Sequence, residues 1–206
     1  MAKLAVIEGD SKSFDSIMFQ QPATILFSLP DWVAQYACSM GTITNREDRV
    51  CFVIEASRQN IIKKTGGPFA AAIFEGQSGL LISLGVNLVP TRQSSILHAE
   101  MVAIALAQMK LGVYDLEQRG SYEMISSAEP CAMCLGAIPW SGVRRVITAA
   151  TDADVRSVGF DEGTKRIPWQ QSLLEKGIEV VTEVNRDEAR SVLNTYLQTG
   201  GEIYNA

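Results

Sequence analysis

His98-Ala99-Glu100 and, further along, Pro130-Cys131-Ala132-Met133-Cys134 give the chain an imidazole, two thiols and a carboxylate at spacings that suit a metal. His98, Cys131 and Cys134 are three tetrahedral zinc ligands. A fourth position left to water marks a catalytic zinc rather than a structural one, and such an ion brings the pKa of its water down toward roughly 7. The competing readings are a closed structural site completed by Cys38 or Cys51, and a redox pair of cysteines. A redox C-x-x-C needs no companion His-Ala-Glu, and the only histidine of the chain falls inside this motif.

Both halves of the motif require a helix start behind them. The apolar run Met101–Ala107 predicts a buried helix whose first turn carries His98 and Glu100 toward one point. Cys131 and Cys134 stand at i and i+3, one turn of a second helix that Pro130 opens. The free N–H groups at that helix start favour thiolate and hydroxide over their protonated forms.

The rest of the chain reads as an α/β scaffold. Thr44-Asn45-Arg46-Glu47 is a capping-box pattern that opens a helix with Val50, Ile54, Ile61 and Ile62 on its inner face, ending at Gly66-Gly67. Strands are predicted at Phe69–Glu75 and Leu80–Leu84 around the turn 76–79, then at Tyr122–Ser127, Arg145–Ala149 and Ile178–Glu183. The first zinc helix stops near Gly112 and the second runs from Cys131 into Trp140. A helix at Trp169–Lys176 makes the last connection long enough for a parallel crossover. Asn185, with Glu188 three residues on, caps a final helix through Leu197 that closes at Gly200-Gly201. The fold class is therefore α/β, with residues 45–206 as one domain and residues 1–44 as an extension that packs on it or is partly irregular.

Composition sets limits on partners. The 206 residues are 47% hydrophobic, ample for one core. A formal net charge of −5, with basic residues clustered only as Lys63-Lys64, Arg144-Arg145 and Lys165-Arg166, argues against a phosphate-tracking groove and a nucleic-acid partner, and favours a free base or nucleoside. Met1–Glu8 has an acidic residue too early and an apolar run too short for a signal peptide, and no stretch is long enough to span a membrane. Four cysteines, two committed to metal, fit the reducing cytoplasm. Cys38, Cys51, Met101, Met109 and Met133 read as core filling.

His-Ala-Glu with Pro-Cys-Ala-Met-Cys matches the pattern of the zinc-dependent cytidine deaminase-like superfamily. Gly66-Gly67-Pro68-Phe69-Ala70-Ala71-Ala72, Gly85-Val86-Asn87, Ser127-Ala128-Glu129-Pro130, Gly159-Phe160-Asp161-Glu162-Gly163 and the tail Ile203-Tyr204-Asn205-Ala206 resemble its bacterial guanine deaminases, which include members that accept aminotriazines such as ammeline. The resemblance runs from about Asn45 to the end.

That resemblance implies a three-layer α-β-α fold on a mixed five-stranded sheet whose last two strands are parallel. It also implies Zn2+, a homodimer and hydrolysis of guanine to xanthine and ammonia. Glu100 is then the catalytic proton carrier rather than a ligand, and Glu162 carries the second proton to the departing amine, with Asp161 as the neighbouring alternative. Asn87 offers a donor and an acceptor to a base edge, although a turn asparagine is an equal reading of the residue alone. Phe69 stacks on the base or belongs to the core. The Ala99 N–H holds a substrate carbonyl. Trp140 and Phe160 wall the pocket or pack the core, and Tyr204 enters a neighbouring subunit's site or frays. Other substrates within the superfamily are cytosine, guanosine and tRNA adenosine. A non-catalytic zinc module is the third reading, and Glu100 counts against it.

Overall fold

The computed structural model describes residues 26–204; Met1–Glu8 and the end of the tail, Asn205-Ala206, lie outside them. Helices α1 (Asp31–Met40) and α2 (Arg46–Ile62) precede the antiparallel strands β1 (Ala70–Glu75) and β2 (Leu81–Val86). Helices α3 (Val89–Arg92) and α4 (Ala99–Leu111) lead to β3 (Tyr122–Ala128), and α5 (Ala132–Ser141) leads to β4 (Arg145–Ala150). Helices α6 (Asp152–Ser157) and α7 (Gln170–Leu174) connect to β5 (Glu179–Val181), and α8 (Arg186–Gln198) follows. The sheet order is β2-β1-β3-β4-β5; β1 is antiparallel to both its neighbours, while β3, β4 and β5 run parallel.

Strands that are apolar on both faces need cover on both, and helices supply it. In β1, Ala70, Ala72 and Phe74 turn to one side and Ala71 and Ile73 to the other, as the two-residue period dictates. The first side packs on α2 and α8 through Val50, Val53, Ile54, Val192 and Leu193. The second packs on α4, α5 and α7 through Ala103, Ile104, Ile138 and Leu173. Each fully buried valine, leucine or isoleucine among these contributes roughly 1.5–3 kcal/mol. The result is the three-layer α-β-α arrangement with its last two strands parallel.

Helix α4 lies unusually close to β2. A Cβ on Gly85 would stand 2.3 Å from the Ala99 carbonyl oxygen, so only glycine fits there, and alanines 99, 103 and 107 face the sheet. That contact fixes the start of α4, and with it His98 and Glu100. On the opposite face, α1 brings Tyr36 into a stack on Phe52 with ring centroids 4.7 Å apart, and Trp32 Nε1 donates to Thr65 Oγ1 at 3.0 Å.

Several local expectations need correction. Asn45, not Thr44, is the N-cap of α2, accepting from the Asp48 N–H; Ile62 ends that helix beyond the sheet and is exposed. Met109 and Met133 are exposed, because the face each helix turns inward is set by its small or ligating residues. Cys38 is also exposed. Asn185 stands at the start of α8 in a left-handed conformation, yet its amide donates to Cys51 Sγ at 3.1 Å instead of capping. Strand β5 and helix α7 are shorter than their patterns suggested. Helix α6 is too short to show an apolar period, but Thr151-Asp152-Ala153-Asp154 spells a capping box, and Thr151 and Asp154 form one. Among the described residues no helix is long and apolar enough to cross a membrane.

Candidate active site

The site forms where α4 and α5 begin, beside the carboxyl ends of β3 and β4, the usual place for ligands in such sheets. His98 and Cys131 are the N-cap residues of α4 and α5. Their carbonyls accept the first helical bonds, from Val102 and Leu135, while their side chains turn across the gap between the helices. Ser, Thr, Asp or Asn at such positions would add about 1 kcal/mol through a side-chain cap. Neither His98 nor Cys131 makes one, so local stability is given up for chemistry.

His98 Nδ1 lies 3.4 Å from Cys131 Sγ and 3.7 Å from Cys134 Sγ, and the three donor atoms fall within 4.8 Å of one another. Ordinary zinc bond lengths and tetrahedral angles put nitrogen and sulfur donors roughly 3.6 Å apart. The donor set and its spacing therefore fit zinc. The two thiols share charge unequally. The Cys134 thiol holds Cys131 down to about 4, against burial and with help from His98, while the bond to Cys131 and burial push Cys134 up. Cys51 lies away from this cluster, bonded to Asn185, and Cys38 is exposed. Neither joins the set as a fourth ligand.

Around the donors lies a cavity lined by Phe69, Asn87, Glu100, Glu129, Phe160, Glu162 and Tyr204. Glu100 is buried, with Ser126 Oγ donating to it at 3.5 Å, and burial raises its carboxyl above the usual range. Glu162 is 7% exposed. Burial pushes it up to about 8; the Lys165 ammonium opposes this, and Cys131, Glu100 and Asp152 add to it. Glu162 Oε2 and the Tyr204 hydroxyl are buried without a hydrogen-bond partner among the described residues. Buried polar atoms of that kind call for a ligand or water. Asp161 also lines this cavity but is solvent-exposed, paired with Arg156 at 3.0 Å and held low by the Gly163 N–H and that arginine.

The remaining sequence candidates divide. Asn87 is buried and its Oδ1 accepts from the Val89 N–H at 3.1 Å, leaving its amide N–H groups and one lone pair for the cavity. Phe69 precedes β1 rather than belonging to it, and meets Phe160 edge-on at 5.1 Å. Ala99 is the first residue of α4, where an N–H has no partner within the helix. Phe160 meets Tyr204 at 5.0 Å, so the tyrosine lies in the cavity of its own chain. Trp140 neither walls the cavity nor packs the core: it is 81% exposed at the far end of α5.

Two further groups at the site, Glu129 in the cavity lining and Lys165 behind Glu162, are not marked by local sequence pattern. Glu129 ties β3 to the start of α6 by accepting from the Asp152 N–H at 2.9 Å. Lys165 reads as a solvated Lys-Arg pair, yet its side chain is 6% exposed and its ammonium reaches the Pro130 carbonyl at 2.9 Å. Only the match of Ser-Ala-Glu-Pro pointed to Glu129, and nothing local pointed to Lys165.

Fold and site together define a zinc-dependent deaminase scaffold. Residues 44–150, just over half of the chain, match the cytidine and deoxycytidylate deaminase zinc-binding region, and the chain belongs to that family. Within it, the chain is similar to the guanine deaminase of Bacillus subtilis (strain 168), 42% identical over 97 residues, which cover 47% of this chain and 59% of that enzyme. The match thus spans less than two thirds of that relative's length. The solved guanine deaminase from Nitrosomonas europaea superposes with a TM-score of 0.82 at 41% identity, covering 87% of this chain and 99% of that one. A further structure, of a complex with 2,6-diaminopurine, gives a TM-score of 0.81 at 44% identity over 86% of this chain and 95% of that one.

Proposed function

We propose that this chain hydrolyses the amino group of guanine, giving xanthine and ammonia, and that ammeline-like aminotriazines are further substrates. The observation that carries this reading is the meeting of two buried carboxyls, Glu100 and Glu162, with the zinc donor set in one aromatic-lined cavity. The guanine deaminase relatives, and the diaminopurine complex of one similar structure, support a purine-like ring as substrate.

His98, Cys131 and Cys134 would hold zinc, which when bound supplies a Lewis acid and eases deprotonation of water near neutral pH. Glu100 takes a proton from the attacking water and delivers it to the ring nitrogen beside the reacting carbon. Its burial favours this, since a carboxyl whose proton affinity is raised can both accept and return a proton. Glu162 protonates the amine as its C–N bond breaks, and ammonia leaves. The geometry supports Glu162 over Asp161 because the aspartate is solvated and occupied by Arg156. Phe69 packs on the ring, Asn87 binds its polar edge, and the Ala99 N–H receives the carbonyl oxygen. A homodimer in the reducing cytoplasm completes the proposal.

The test is ammonia release from guanine, guanosine, adenine, cytosine, ammeline and tRNA, with zinc measured on the same sample. Turnover of guanine above the other purines is expected. Turnover of a nucleoside or tRNA with every free base inert would reject the substrate class.

A further inference from the structure

We propose that Lys165 is a positioning residue for the deamination: its ammonium holds the Glu162 carboxyl beside the loop that carries Cys131, and balances the charge Glu162 acquires on giving up its proton. This rests on the proton-donor role proposed for Glu162. A lysine in a surface loop ordinarily extends into water, and burying its charge is costly unless it is paired. Here the ammonium, which has three donors, finds three oxygen partners. They are the Pro130 carbonyl at 2.9 Å, the Asp152 carboxylate, and Glu162 Oε2 at 3.6 Å.

The three contacts differ in kind. Pro130 immediately precedes the ligand Cys131, and the Glu162 backbone carbonyl accepts from the Ala132 N–H at 2.9 Å, so the two loops are joined at two points. Asp152 is itself held by Arg156 at 2.6 Å and anchors the ammonium from behind. The Glu162 contact is too long for a hydrogen bond but within ion-pair distance, so the ammonium fixes the carboxyl by attraction while Oε2 keeps its hydrogen-bonding capacity for a substrate amine. His98, Cys131, Glu100, Asp152 and Tyr204 also act on Glu162 or feel its charge. Lys165 is the cation its own loop supplies, three residues on.

The step balances. The Glu162 carboxyl proton passes to the amine nitrogen and the carbon–nitrogen bond breaks with its electron pair going to nitrogen, while the hydroxyl on the same carbon closes to the carbonyl and gives its proton to the Glu100 carboxylate; ammonia departs. Glu162 is left as a carboxylate facing the Lys165 ammonium.

A double-mutant cycle on the zinc-loaded full chain tests this, using K165M, E162Q and the pair, with kcat and KM for guanine and zinc content as readouts. K165M is expected to lower kcat by roughly 10- to 100-fold with KM and zinc little changed, and to cost less than about twofold on the E162Q background, because residues acting as one unit are not additive. K165Q, which keeps donors for Asp152 and Pro130, is the second variant should K165M fail to fold. A full loss repeated on the E162Q background, or kcat within twofold in the lysine variants, would overturn the role of Lys165 alone. An E162Q enzyme with unaltered turnover would overturn the Glu162 assignment, and this inference with it.

Discussion

Gly66 and Asn87 touch backbone to backbone: a Cβ on Gly66 would stand 1.8 Å from the Asn87 carbonyl oxygen. Asn60 Nδ2 donates to that carbonyl at 2.9 Å and to the Gly67 carbonyl at 2.8 Å, so the turn entering β1 and the end of β2 are clasped where Phe69 and Asn87 meet the cavity. Gly66→Ala is therefore expected to destabilise the fold by about 1–3 kcal/mol. Its melting temperature should fall by roughly 2–4 °C for each of those kcal/mol, and KM should rise as Asn87 shifts. A melting curve and KM unchanged from the parent would show that this contact does not set the cavity.

The Tyr204 hydroxyl supplies a second test, because it is buried with no hydrogen-bond partner among the described residues. An unmade hydrogen bond of that kind costs about 1–3 kcal/mol. Tyr204→Phe is expected to melt a few degrees higher while binding a purine inhibitor more weakly, on the order of 5- to 10-fold if the hydroxyl's partner is the ligand. Calorimetric binding and a melting curve on the same sample decide it, and weaker binding without greater stability would count against the reading.

Metal removal should change thiol chemistry. Cys38 is exposed, whereas Cys131 and Cys134 are buried beside His98. Thiolates held by zinc react slowly until the metal leaves. Titration with a thiol reagent is expected to find these two additional reactive cysteines after chelation, together with a lower melting temperature. Identical titrations before and after chelation would contradict the zinc assignment.

Asp154 makes stability depend on acidity. Burial alone would raise its pKa, but Arg186 and the Thr151 cap bring it from its ordinary 3.8 to about 2. Because the folded value lies below the unfolded one, the stabilisation is complete above about pH 4 and is lost as pH falls through about 2. Its size is about 1 kcal/mol once solvent screening around the partly exposed arginines is allowed for. Urea unfolding of Asp154→Asn should show a smaller loss of stability between pH 6 and roughly pH 3 than the parent. Parallel profiles would remove Asp154 from the acid response.

What the sequence made legible were features written in local spacing. The His-Ala-Glu and Pro-Cys-x-x-Cys motifs predicted two helix starts, and His98, Cys131 and Cys134 do meet there. The helical stretch before the last strand predicted the parallel end of the sheet, and the family resemblance implied its mixed, five-stranded arrangement. Features made by distant segments were not legible. Whether Lys165 points to water or to Pro130 depends on where two loops cross, which no periodicity encodes. The outward turn of Trp140 and Met109 had the same cause: hydrophobic type suggests a core residue, but closeness to Gly85 and the ligand geometry choose which helix face turns inward.

The most direct test is Glu100→Gln, prepared with zinc and assayed for ammonia release from guanine. Glutamine keeps the shape and loses the proton-carrying carboxyl. The expected result is one zinc per chain with turnover lowered by roughly 10²- to 10⁴-fold, the usual contribution of a positioned acid–base group. Ammonia release within threefold of the parent, with zinc still bound, would contradict the role assigned to the carboxylate beside the metal.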